Sequence, residues 1–217
     1  MAIETVVMQW KPEQLWEGAD VFIIGGGPSL RSFDWTKLIG RKTIGCNDAF
    51  RLGPDVCAAC IFGDLRWFNV HRKALQEFPN PVYTNQPSLH DGKGVPWLRT
   101  LPRKPKGLHK DALGWGCNTG CSAINLALLL GARRVFLLGF DMQVLDGKTN
   151  WHDANISKPT DATYKNYQKG FAAIAKDLPV VFPGCCVYNC GKESRLQVFP
   201  KVDLEAALCG VISPVCG

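Results

Sequence analysis

The sequence predicts a single Rossmann-like α/β domain, with a mostly parallel central sheet, helices on both faces and one irregular lid-like insertion. Three observations carry that expectation. Short apolar runs alternate with helical stretches along 217 residues, the pattern of strands covered on both faces. The runs stop abruptly at small, polar or acidic residues. Hydrophobic residues make up 46% and charged residues 20%, a globular balance that excludes extended disorder. A chain of this length makes one domain, or one domain with a small insertion.

Each element follows in order. The first twenty residues carry Trp10 and Trp16 among polar neighbours and predict a short helix packed on the domain. Residues 19–24 form an apolar strand that runs into Gly25-Gly26-Gly27-Pro28-Ser29-Leu30, a glycine turn. Residues 42–46 are a second strand ending at Asn47-Asp48, and residues 56–62 a third ending at Gly63-Asp64. Residues 66–78 read as a helix and 81–84 as a fourth strand. From 85 to 115 the pattern breaks, because Pro87, Pro96, Pro102 and Pro105 interrupt any helix. This insertion is basic, with Lys93, Arg99, Arg103, Lys104, Lys106 and Lys110 against Asp91 and Asp111. Such a segment is a lid or binding loop, or equally a solvated excursion.

Residues 119–130 are rich in Ala and Leu and predict a buried helix, with Asn118 or Thr119 placed to cap it. Residues 134–138 are a strand closing on Gly139-Phe140-Asp141. A loop through 146–152 precedes an amphipathic helix over 164–178, a strand over 180–182 and a short terminal helix over 202–208. There is no internal repeat.

Lys and Arg outnumber Asp and Glu by 25 to 19, a formal charge of +6. That favours anionic ligands without establishing nucleic-acid binding. No run approaches the ~18–20 apolar residues that span a bilayer, and the N-terminus lacks the features of a signal peptide. The expectation is a soluble, cytoplasmic protein. Among ten cysteines, Cys57 and Cys60 sit within an apolar run. None of His71, His90, His109 and His152 completes a zinc pattern locally, so small buried or free thiols are expected.

In parallel sheets, ligands bind beyond the carboxyl ends of the strands. Gly25, Gly26 and Gly27 there offer backbone N–H groups to an anion, or simply make a tight turn. No lysine follows, so this is not a Walker A loop. Leu30 stands where a dinucleotide fingerprint needs its third glycine, which argues against a dehydrogenase. Asn47 and Asp48 suit a ribose or base edge, or a turn. Asp64 and Asp141 need a partner if buried; magnesium, sugar hydroxyls or, for Asp141, a capping role would supply one. His152 is the histidine nearest the rim, where an imidazole can take a proton from a hydroxyl.

The ordered set resembles a known superfamily. It comprises the Gly25–Leu30 loop, Cys46-Asn47, Gly63-Asp64, Asn118-Thr119-Gly120 opening an Ala/Leu helix, and Leu138-Gly139-Phe140-Asp141 with His152. It is similar to bacterial sialyltransferases that use CMP-sialic acid and to motility-associated-factor flagellin glycosyltransferases. It also resembles archaeal 6-hydroxymethyl-7,8-dihydropterin pyrophosphokinases. The resemblance implies that Gly25, Gly26, Gly27, Pro28 and Ser29 wrap the donor's phosphate and ribose. Asn47, with Asp48, Gly63 and Asp64 nearby, would contact the nucleotide, and Asn118, Thr119 and Gly120 would help hold it. His152, with Asp141, would be catalytic, His152 as general base. The family's tyrosine pair at the leaving phosphate finds possible substitutes in Tyr164 and Tyr167.

Two reactions follow from that resemblance. One is sugar transfer from a nucleotide-activated donor to an unidentified acceptor, by direct displacement and without a required cofactor. The other is a Mg2+-ATP-dependent pyrophosphokinase acting on a pterin-like alcohol, with Asp64 and Asp141 as metal ligands. A non-catalytic nucleotide-binding module is the third reading. If the basic insertion faces the rim, the acceptor is a polyanion such as DNA or an acidic glycan.

Overall fold

The computed structural model describes residues 14–90, 95–152 and 158–212. Seven strands form one sheet in the order β5-β4-β3-β2-β1-β8-β9, and every neighbouring pair is parallel. They are β1 (Asp20–Ile24), β2 (Lys42–Cys46), β3 (Ala59–Phe62), β4 (Val82–Thr84), β5 (Leu98–Thr100), β8 (Arg134–Leu138) and β9 (Cys186–Asn189). Two short strands, β6 (Arg103–Lys104) and β7 (Leu113–Gly114), pair with each other outside it. The helices are α1 (Leu65–Glu77), α2 (Pro87–His90), α3 (Thr119–Leu129), α4 (Asp161–Val181) and α5 (Leu204–Leu208).

Alternation along the strands sorts side chains to two faces. Val21, Ile23, Ile44, Ile61, Val135 and Leu137 pack with α3 and α4 residues such as Leu126, Phe171 and Ile174. Phe22, Ile24, Phe136 and Tyr188 face the other way with Ala207 of α5. Cys60, Phe62 and Val82 join Trp67, Phe68 and Leu75 of α1 on that second side. Helices therefore cover both faces. Every residue of α3 is buried, which explains its small and apolar character, and its buried Ser122 and Asn125 side chains are hydrogen-bonded. Asp20 and Arg134 are cross-strand partners, and a two-pronged ion pair at 2.6 Å fixes the β1–β8 register at its start.

Three expectations need correcting. Residues 180–182 are not a strand. Helix α4 runs through Pro179 to Val181, and the sheet's last strand is β9. Residues 15–18 make a turn rather than a helix, and Trp10 lies outside the described residues. The third strand starts at Ala59 instead of residue 56, because the chain is still turning there, with the Cys57 N–H donating to Gly53 O at 2.9 Å. Within 85–115, the structure adds β5 as the sheet's edge strand. No helix among the described residues is long and apolar enough to cross a membrane.

Candidate functional site

The carboxyl ends of β1, β2, β3 and β8 and the start of α3 surround one cavity of about 840 Å3. Gly25, Gly26, Gly27, Pro28, Asn47 and Asp48 line it, as do Gly63, Asp64, Asn118, Thr119, Gly120 and Asp141. Ser29 and His152 do not.

The glycine loop is bonded inward. The N–H groups of Gly25 and Gly27 donate to Leu138 O and Gly139 O, both at 2.8 Å. The Ser29 N–H and hydroxyl donate to the two carboxylate oxygens of Asp141 at 2.8 and 2.7 Å. A Cβ on Gly27 would stand 2.5 Å from both Gly139 O and Asp141 Oδ2, so the missing side chain permits a close approach of two strand ends. Of the three glycine N–H groups anticipated as a cradle for an anion, those of Gly25 and Gly27 serve the fold. Asp141, only 2% exposed, braces the loop with both oxygens. On the loop's other side, Trp151 donates its N–H to Gly26 O and its indole N–H to Gly25 O, each at 3.0 Å. The His152 ring lies edge-on to Trp151 at 4.7 Å, outside the cavity lining. Residues 153–157 fall outside the described set.

Asn47 sits at φ +52°, a left-handed conformation that Asn tolerates better than most residues. Its Oδ1 accepts from the Thr119 hydroxyl at 3.3 Å, tying the tip of β2 to the start of α3. Asp48 is buried and committed to the fold. It accepts from the Trp67 indole at 2.8 Å and from Arg51 Nε at 3.1 Å, with His71 Nε2 3.6 Å away. Burial holds the His71 imidazole below its usual range, while Asp48's charge pulls it up and Arg51's pulls it down. Asp48 thus anchors α1 through Trp67 while lining the cavity.

Asn118 caps α3, its Oδ1 accepting from the Cys121 N–H at 2.9 Å. The N–H groups of Thr119 and Gly120 lead the helix and have no acceptor within it. Across the cavity, α4 contributes Tyr164 and Tyr167, their rings edge-to-face at 6.4 Å. Burial, helped by the nearby Asp141 charge, pushes the Tyr164 phenol up to about 12, and burial also raises Tyr167. Both are therefore neutral O–H donors near neutral pH. Lys158 and Thr163 line the same wall.

At the tips of β3 and β4 the construction changes. Asp64 caps α1 through one oxygen, Oδ1, which accepts from the N–H groups of Arg66 at 2.7 Å and Trp67 at 3.2 Å. Arg103 donates from Nη2 to Gly63 O at 2.6 Å and to Asn85 Oδ1 at 3.2 Å, and from Nε to Asn85 O at 3.0 Å. Its guanidinium lies 4.1 Å from the centre of the Trp115 ring. Both side chains line the cavity. In the sequence Arg103 was one charge in a basic run and Trp115 carried no signal, since only the fold brings them to Gly63.

The rest of that run is turned elsewhere. Arg99 donates to the Tyr83 hydroxyl at 2.8 Å, Lys104 pairs with Asp111 at 2.7 Å, and Lys110 sits 4.2 Å from the Phe182 ring centre. Lys93 lies outside the described residues. Of the insertion's described cations, Arg103 alone lines the cavity. Asp141's oxygens are held by Ser29, Asp64 shares its Oδ1 with a helix start, and no third acidic, His or Cys ligand joins them among the described residues.

No protein-family model matches the chain, and a search of the curated proteins finds no match. Among solved structures, the chain is similar to the sialyltransferase CstII from Campylobacter jejuni in complex with cytidine-5'-monophosphate. That match has a TM-score of 0.53 and 15% identity, covering 86% of this chain and 85% of that one. A structure of the same enzyme with CMP-3FNeuAc gives 0.47 and 14%, covering 84% of each chain. At this identity the first match establishes a sialyltransferase-like α/β fold.

Proposed function

We propose that the chain is a glycosyltransferase that takes a sugar from a cytidine monophosphate donor. One observation carries the reading: the open start of α3, Tyr164, Tyr167 and Asn47 line a single cavity at the strand ends. Its volume of about 840 Å3 lies in the range of ligand sites, roughly 300–1,000 Å3. The cytidine assignment draws on the CMP bound to the solved neighbour.

In this reading the leaving phosphate lies against the Thr119 and Gly120 N–H groups, where the helix dipole favours negative charge. The two phenols and Lys158 donate to it as charge develops during displacement at the anomeric carbon. Asn47 orients the nucleoside. The proton of the attacking hydroxyl passes to Asp64 Oδ2, the oxygen the helix cap leaves over. His152 stands outside the lining and takes no step.

Thermal-shift and calorimetric titration with CMP, UDP, GDP and ATP, with and without Mg2+, tests the proposal. CMP is expected to stabilise selectively and without metal, by about 2.7 kcal/mol at a hundredfold excess over Kd. Release of CMP from a CMP-sugar should survive a chelator. Selective stabilisation by Mg2+-ATP would overturn the reading in favour of phosphoryl transfer. Tight CMP binding without turnover of any CMP-sugar would leave a binding module.

A further inference from the structure

Behind the Asn47 wall of the cavity sits a buried histidine to which sugar transfer assigns no part. A 3-10 turn, Asn47–Leu52, follows β2. It carries Asn47 and Asp48, which line the cavity, and Arg51, which does not. His71 meets this turn from α1 and is only 6% exposed. Its Nδ1 lies 3.3 Å from Arg51 Nη2. A guanidinium only donates, so Nδ1 is the acceptor and the neutral ring carries its proton on Nε2. That buried Nε2 has no hydrogen-bond partner. It faces Asp48 Oδ1 at 3.6 Å, the oxygen that already accepts from Arg51 Nε at 3.1 Å.

Histidine and arginine thus compete for one carboxylate oxygen, and a proton decides between them. Protonation at Nδ1 sets a donor against a donor and two positive charges 3.3 Å apart. The imidazolium gains in exchange a charge-assisted bond from Nε2 to Asp48 Oδ1, after a small approach. Arg51, whose side chain is 49% exposed, can turn out to water, whereas the buried ring cannot. Asp48 keeps its other oxygen on the Trp67 indole N–H at 2.8 Å, so α1 stays attached while Arg51 lets go. Asp48 and Arg51 are the charges that act on His71. The buried Cys57 and Cys60 thiols of the same cluster are pushed up and stay neutral. One turn away on α1 the ring meets Trp67, Phe68, Ala74 and Leu75, none of which titrates. Burial, the largest influence, holds the imidazole below its ordinary value, so the exchange falls on the acid side of it. Asn47 heads the same turn at φ +52° and accepts from the Thr119 hydroxyl at 3.3 Å. A shift of the turn therefore reaches the contact that ties β2 to α3.

We propose that His71 is a positioning residue: while neutral it holds Arg51 on Asp48 and sets Asn47 for the ligand, and its protonation replaces Arg51 on Asp48 and weakens binding. The part played in binding rests on the nucleotide reading of the cavity, but the exchange itself stands on the geometry of His71, Arg51 and Asp48. The folded imidazole binds its proton less readily than the unfolded one. Stability therefore also falls as the pH drops from the unfolded value to the folded one. A histidine that only supports the fold would show that loss alone.

The experiment follows the His71 ring nitrogens and the Asn47 side-chain amide of the 15N-labelled full chain by NMR, from about pH 8 to about pH 4.5. Calorimetric titrations with CMP cover the same range. The Asn47 and His71 signals should shift with one midpoint, below the ordinary histidine value of about 6.5. His71→Asn keeps an oxygen to accept from Arg51 and does not titrate. Comparing it with the wild type at each pH cancels the ionisation of the CMP phosphate, which falls near pH ~6. The two should bind CMP alike at the upper end. Below the His71 midpoint the wild type alone should weaken, by up to about tenfold per pH unit. A ring that stays neutral throughout, Asn47 signals that ignore its titration, or matching pH profiles in the two proteins would overturn the proposal. The wild-type spectra decide this even if the variant folds poorly. Asn47 tracking His71 with no CMP binding at any pH would sink the nucleotide reading and leave the exchange standing.

Discussion

The two ends of the cavity are built on opposite principles. At the β1–β8 end, the glycine loop, Ser29, Asp141 and Trp151 bond to one another, and little polar capacity remains for a ligand. At the β3–β4 end, Asp64 keeps an oxygen and Arg103 keeps charge and donors. The most recognisable motif in the sequence thus secures the frame, whereas the less patterned insertion places a guanidinium and an indole in the cavity lining. A glycine-rich turn at a strand end is not in itself evidence of phosphate binding. The destination of its N–H groups decides the matter.

If that contrast is right, substitutions at the first end should act on stability and those at the second on ligands. The largest effect is expected at Gly27. An alanine there meets a backbone carbonyl and a buried carboxylate at 2.5 Å, and neither can swing away. Gly27→Ala should cost about 3 kcal/mol or more, read from the urea midpoint and slope. A near-normal midpoint with weakened CMP binding would instead make the loop a binding element.

Asp141 comes next. Asp141→Ala removes the acceptor of two hydrogen bonds and leaves the Ser29 N–H and hydroxyl without it, a loss of about 2–3 kcal/mol. A role in catalysis or metal binding predicts the reverse: a normally stable protein with no turnover. Circular dichroism melts and turnover on one preparation separate the two.

Legibility in the sequence divides along the same line. Strands β1, β2 and β8 were readable because apolar runs end at Gly or Asn, a local signal of burial followed by a turn. Strand β9 was missed because Val180, Val181 and Phe182 have higher β-propensity than its flanking residues and follow Pro179. Tertiary packing of α4 overrode both cues. Strand β5, three residues long, carries no period at all. The strand-end residues that line the cavity were found by position alone, yet their partners were not. Nothing local marks Ser29 for Asp141, 112 residues away, or Arg103 for Gly63.

Gly63→Ala is the matched control for Gly27→Ala. The added methyl meets the far edge of the Trp115 ring, a side chain that can shift where a backbone cannot. Its cost should stay below about 1.5 kcal/mol. Displacing Trp115 removes the floor under Arg103, and CMP binding should hold. A stability loss equal to that of Gly27→Ala would erase the distinction between the two ends.

The smallest change in stability is expected at Asp64, and it is the most discriminating for mechanism. Asparagine caps a helix as well as aspartate does, and its side-chain oxygen can accept from the same Arg66 and Trp67 N–H groups. Asp64→Asn should therefore unfold within a few tenths of a kcal/mol of the parent. What it removes is the basicity of Oδ2. A proton acceptor contributes about 10²–10⁴-fold to a rate, so turnover of a CMP-sugar with its acceptor should fall by that factor at unchanged CMP affinity. His152→Ala should retain both turnover and binding, because its ring packs on Trp151 rather than lining the cavity. The inverse outcome, with turnover lost in His152→Ala and kept in Asp64→Asn, would return the proton to the histidine. It would also mean that the end of the cavity described here as frame takes part in the chemistry.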